Sequence, residues 1–71
     1  MKRKLTSAVM GYMDTRPGME RSRLIHAGEI VETTEVTEGE RIRVHWSGAS
    51  DEGMGYLMVD EIELEASSVP V

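Results

Sequence analysis

The side chains here that could do chemistry are imidazoles, hydroxyls and carboxylates, and their spacing decides whether they do. His26 and His45 are the two histidines, and they do not stand at metal-ligand spacing. With no cysteine in the chain, no third imidazole or thiolate completes a zinc set. His45 reads instead as an exposed strand residue facing an acid. Asp51-Glu52-Gly53 resembles a fragment of a calcium loop, but the acids at alternate positions and the distal Glu are missing, so a solvated loop is expected. A nucleophilic triad needs Ser, His and an acid converging on a water-excluding site with oxyanion donors. Ser47-Gly48 sits in a plain loop without that setting. Gly53-Met54-Gly55 is too little for a phosphate loop, and alternation spreads most of the thirteen acids over solvent faces. The sequence predicts no enzyme, no cofactor and no metal.

Binding has more material. Tyr12, Trp46 and Tyr56 are the aromatics among 71 residues that include six methionines. Methionine adapts its shape to a contact, and aromatic side chains anchor interfaces. Tyr12, Met13, Met19, Met54 and Tyr56 are expected to form a shallow apolar patch rimmed by Asp14, Asp51 and Glu52. Trp46 joins them as a binding candidate and is also the one large core anchor. Met10 and Met58 are expected to fill the core. An acidic rim favours a cationic peptide or a protein partner.

Length bounds what these residues can build. A chain of this size buries only ~60% of the surface its unfolded form exposes. One small domain is the ceiling, and a large enzyme pocket does not fit. Without cysteine there is no disulfide framework, so packing or self-association must hold the fold. Lys2, Arg3 and Lys4 make a basic start; beyond them five arginines stand against thirteen acids, a balance that repels polyanions. Nucleic-acid binding is therefore disfavoured. Residues 5–12 are too short and too weakly apolar for the core of a signal peptide, no run approaches the ~18 apolar residues of a membrane span, and the expectation is a cytoplasmic protein without membrane attachment.

The elements that must position the candidates are short strands. Glycines at 11, 18, 28, 39, 48, 53 and 55, with Pro17, break every helical window. Residues 6–13 read as a first strand. Pro17-Gly18 reads as a type II turn, and residues 23–26 as a second strand. The clearest element is a hairpin: residues 29–36 are rich in β-branched side chains, and residues 41–46 alternate so that Ile42, Val44 and Trp46 face inward. Two registers are open across Thr37-Glu38-Gly39-Glu40. A three-residue loop with Gly39 in the left-handed position sets Ile30 opposite Trp46; a four-residue loop sets Glu32 opposite His45 and Thr33 opposite Val44. The second is slightly preferred, because it buries Val31 and Thr33 where the first buries Glu32. In both, Arg41 and Arg43 emerge opposite or diagonal to acids. Residues 47–54 read as a surface loop, 55–59 as a strand, Asp60-Glu61 as a 3₁₀ turn and 62–65 as a closing strand. Residues 66–71 have nothing to pack against and are expected to form a flexible tail beside a domain spanning 1–65.

This order resembles the bacterial Src-homology-3 type (SH3-like) small β-barrel. The resemblance runs from about Val9 to Leu64. It rests on a first strand entering Arg16-Pro17-Gly18, a short strand at Leu24-Ile25, Gly28 before Ile30-Val31, the hairpin, the Trp46 strand, and Gly55-Tyr56-Leu57 followed by a turn and Ile62-Glu63-Leu64. It implies an all-β, five-stranded SH3-like barrel with a short 3₁₀ turn before the last strand. The functional expectation is a non-catalytic protein-interaction module that self-associates as a homodimer or higher homo-oligomer. Two other expectations remain: a nucleic-acid-binding accessory protein using the basic arm with Arg21, Arg23, Arg41 and Arg43, and a ligand-binding or enzymatic subunit whose site forms at an oligomer interface.

Overall fold

The computed structural model describes residues 1–14, 21–46 and 55–71. The Arg16-Pro17-Gly18 turn and the loop over 47–54 lie outside them. The elements are β1 (Lys2–Leu5), β2 (Val9–Asp14), β3 (Arg21–Ile25), β4 (Ile30–Glu38), β5 (Arg41–His45), β6 (Tyr56–Asp60), α1 (Glu61–Ala66) and β7 (Ser68–Pro70). The protein is all-β, with one antiparallel sheet in the order β3-β2-β6-β5-β4-β1-β7.

The sheet has seven strands where five were expected. The two strands that were not expected, β1 and β7, come from the chain ends. The basic start is β1, paired with β4 through Lys2–Glu32 and Arg3–Val31. Residues 66–71 are no free tail, because Ser68–Pro70 pairs antiparallel with β1. The arm and the tail each lacked a visible partner in the sequence, and each is the other's partner.

A flat sheet of this width would span about 30 Å at ~4.8 Å per strand, with each strand able to touch only its neighbours. Instead Leu5 of β1, Val9 of β2, Ile25 of β3, Val31 of β4, Val44 of β5, Leu57 and Val59 of β6 and Leu64 of α1 bury into one cluster. The sheet therefore curls around its inner face. Leu5 N donates to the Glu29 carbonyl at 2.9 Å and Gly28 N to the Leu5 carbonyl at 2.8 Å, which continues the β1–β4 pairing past Lys4–Ile30. These bonds join β1 to the turn between β3 and β4.

Gly11 lets β2 lie this close to the core. A Cβ at Gly11 would stand 2.7 Å from Leu57 Cδ1, closer than real contacts allow, and 3.2 Å from Leu57 Cβ, tighter than most. Leu57 occupies the volume that a side chain at Gly11 would need.

The β4–β5 hairpin adopts the pairing Glu32–His45 and Thr33–Val44, the register favoured by burial of Val31 and Thr33. The loop differs from both expectations. Glu38 pairs with Arg41 and the register shifts between Thr33 and Thr37, so a two-residue turn, Gly39-Glu40, replaces the longer loops. Gly39 has φ +62° and, among the described residues, no other residue type has positive φ. That is the requirement of a type II′ hairpin turn. The extra residues bulge at Thr34, whose hydroxyl donates to the Arg43 carbonyl at 2.9 Å and accepts from Val36 N at 3.2 Å, replacing ladder bonds lost there.

Residues 62–65 form no closing strand; they belong to α1. The alternation of Glu with Ile and Leu suggested two faces, yet Ile62 is 77% exposed and Leu64 alone is buried in the helix. The deciding signal is the cap. Asp60 is extended and its carboxylate accepts from Glu63 N at 2.9 Å, with Glu61 and Glu63 acidic in the first turn. Both features stabilise a helix start, and they make a full turn of α-helix where a 3₁₀ turn was expected.

Candidate functional site

Strict alternation in β5 sends Ile42, Val44 and, just beyond it, Trp46 inward, and Arg41, Arg43 and His45 outward. Neighbouring registers carry this outer face across the sheet. Arg43 stands opposite Met58 and His45 opposite Tyr56 on β6, and Met58 in turn stands opposite Tyr12 on β2. Tyr12, Met58, Tyr56, Arg41, Arg43 and His45 thus share one outward surface.

Two cation–π contacts organise it. The Arg41 guanidinium carbon lies 3.8 Å from the Tyr12 ring centroid, and that of Arg43 lies 5.4 Å from the Tyr56 centroid. Tyr12 is on β2 and Arg41 on β5, so the Arg41 side chain crosses the whole of β6, a distance of about 10 Å at the usual strand spacing. The long alkyl stem lies along the sheet while the charged end sits on the ring. The His45 and Tyr56 rings pack at 5.2 Å and 52°, a tilted aromatic arrangement.

Acids stand directly across from Arg41, Glu38 on β4 and Asp60 on β6, as alternation predicts. The guanidinium pairs with neither. Asp60 is engaged as the α1 cap, and among the described residues the contacts of the Arg41 and Arg43 head groups are the tyrosine rings alone. Among the described residues neither head group donates a hydrogen bond to a protein acceptor, although each carries a planar fork of N–H donors. Beside Arg41, a groove of about 310 Å³ is lined by Glu38, Glu40, Arg41, Met58 and Asp60.

The sequence candidates divide on this geometry. Tyr12 and Tyr56 come together on the outer face, with Tyr56 44% exposed. Met13 does not join them: it is half-buried and packs against the core. Trp46 is a core residue, 6% exposed, and offers no contact surface. Its indole Nε1 donates to Glu29 Oε1 at 3.0 Å, Glu29 Oε2 accepts from His26 N at 3.2 Å, and the Arg23 guanidinium stands 5.7 Å from the ring. Trp46 therefore ties the end of β5 to the β3–β4 turn. Asp14 ends β2, where its backbone pairs with Arg21; its side chain, with Met19, Asp51, Glu52 and Met54, lies outside what is described.

Met58, expected as core filler, faces outward, and so does Met10, 36% exposed. His45 and Met58 are the members of the face that the sequence did not mark for binding, whereas Arg41 and Arg43 were marked only for nucleic acid. The parity of β5 was the signal for His45, since it already placed it with Arg41 and Arg43; the parity of β6 places Met58 with Tyr56. The proposed basic arm is absent as such. Lys2 pairs with Glu32 in the sheet, and Arg3 turns to Ser68, its Nε donating to Ser68 Oγ at 2.7 Å and its Nη2 to the Ser68 carbonyl at 3.1 Å.

Among the described residues, no group of three His, Asp or Glu side chains gathers as a cation site, and no helix is long and apolar enough to cross a membrane. No family model matches the chain, and neither a curated protein nor a solved structure matches it.

Proposed function

We propose that the protein is a non-catalytic protein-interaction module built on an SH3-like barrel, and that it binds through the outer face of β2, β6 and β5. The barrel reading is supported by β1, which pairs with both β4 and β7 and so links the first and last strands. The β4-β5-β6 meander and a helical turn immediately before the final strand also fit it.

One observation carries the functional reading: Arg41 and Arg43 stack on tyrosine rings although acids stand across from Arg41. Stacking holds a guanidinium in place at low entropic cost and leaves its edge able to accept a carboxylate in the bidentate geometry that arginine suits. With Met58 and exposed Tyr56 between and beside them, the two arginines make a surface for an acidic protein segment that carries an apolar side chain. Tyrosine, methionine and arginine are the residue types enriched at the centres of such contacts.

A cationic peptide is the second reading, favoured by the groove that Glu38, Glu40 and Asp60 wall beside Met58. Titration of ¹⁵N-labelled protein with an acidic Glu/Leu peptide and with a Lys-rich peptide separates the two. The first reading expects shifts at Arg43, His45 and Tyr56 with the acidic peptide; shifts at Glu38 and Glu40 with the Lys-rich peptide support the second. A single-stranded oligonucleotide at low salt forms the third arm, and binding there that weakens steeply with salt would replace both.

A further inference from the structure

We infer that the acidic segment which docks on the Arg41–Arg43 face is helix α1 of a second copy of this chain. The inference rests on the interaction-module reading and names its occupant.

Two features of the single chain are unexplained by its own packing, and they complement each other. On one side are two guanidinium groups held on tyrosines, with exposed Tyr56 and half-buried Met58 beside them. On the other is α1. Ile62 is the most exposed large apolar side chain among the described residues, at 77%, and lies across the helix from buried Leu64. Glu61, Glu63 and Glu65 flank it, all exposed. An isolated soluble helix gains nothing by presenting Ile to water between three acids. Seated on another copy, Ile62 meets Met58 and Tyr56 while Glu63 and Glu65 reach Arg43. Like charge fixes the placement: Glu38, Glu40 and Asp60 stand at the Arg41 end of the face and repel the helix acids, so α1 docks toward Arg43, Tyr56 and His45.

The contact joins two different patches, a helix and a sheet face, which permits a complementation test. Three forms are compared by sedimentation velocity at rising concentration: the unaltered chain, a face variant (Arg41→Glu with Arg43→Glu) and a helix variant (Ile62→Asp with Glu63→Lys). The unaltered chain is expected to exceed its 7.9 kDa monomer mass as concentration rises, and to lose that association at high salt. Each variant alone is expected to stay monomeric. Mixed in equal amounts they are expected to form a one-to-one pair, since one brings an intact helix and the other an intact face. An unaltered chain that stays monomeric, or a mixture that stays monomeric while the unaltered chain associates, overturns the inference. Because the chain lacks cysteine, a spin label at Ala66→Cys, at the exposed end of α1, adds a test that leaves the face, Ile62 and the helix acids untouched. It should broaden the Arg43, His45 and Tyr56 signals of a ¹⁵N-labelled unaltered copy, and broadening elsewhere only overturns the proposed contact. Binding of the acidic Glu/Leu peptide to a chain that does not self-associate would leave the module reading standing and remove this one.

Discussion

Arg3 and Ser68, near the two ends of the chain, are joined by two hydrogen bonds: Nε to the Ser68 hydroxyl at 2.7 Å and Nη2 to its carbonyl at 3.1 Å. The Ser68 hydroxyl also donates to the Leu64 carbonyl, so one buried serine connects β1, β7 and the end of α1. A strand as short as β7 has few ladder bonds of its own. The clasp accounts for its place at the edge of the sheet.

Replacing Ser68 with Ala removes an acceptor from a partly buried guanidinium and a donor from the Leu64 carbonyl. Unsatisfied groups of this kind cost about 1–3 kcal/mol, which for a domain this small lowers Tm by about 4–8 °C per kcal/mol. Urea unfolding followed by Trp46 fluorescence measures it. Arg3→Lys should recover little of the loss of Arg3→Ala, because an ammonium does not present the two-pronged geometry. Full recovery by lysine would show that charge alone matters there.

Gly11→Ala should destabilise through Leu57. The added Cβ falls 2.7 Å from Leu57 Cδ1, and Leu57 is itself packed in the core, so overpacking of about 1–3 kcal/mol is expected. Leu57→Val removes the offending methyl. The double variant should therefore lose less stability than the two single losses added together, and strict additivity would remove the steric explanation.

The Arg41–Tyr12 contact is expected to show as a coupling energy. In a double-mutant cycle of Arg41→Ala and Tyr12→Leu, read by chemical unfolding, about 0.5–1 kcal/mol of coupling is the range for a cation–π pair near the surface. Tyr12→Phe keeps the ring and should retain most of it. A coupling near zero would mean that Arg41 lies over Tyr12 without being held there, and would weaken the case for a preset binding face.

Short-range physics made much of this legible in the sequence. Alternation over residues 41–46 placed Ile42, Val44 and Trp46 inside and Arg41, Arg43 and His45 outside, because side chains on a strand point to opposite faces in turn. Burial of Val31 and Thr33 selected the hairpin register, since a one-residue slip exchanges the two faces. Absence of cysteine, the number of glycines and the acidic balance bounded the chain to a small, glycine-punctuated β fold.

Other features depended on which distant segments meet. Lys2–Leu5 and Ser68–Pro70 are too short to declare themselves as strands; the first becomes one between β4 and β7, the second only against β1. The α1 segment carries a strand-like alternation that its Asp60 cap overrides. Met13 and Met58 exchanged their expected roles because strand parity decides which way each points: Met13 shares the inward side of β2 with Val9 and Gly11, and Met58 the outward side of β6 with Tyr56. Tyr12 was visible as a candidate from the start, but that Arg41 would cross β6 to cover it required three strands in register. Local pattern assigns a side chain to a face. Only the assembled sheet assigns it a neighbour.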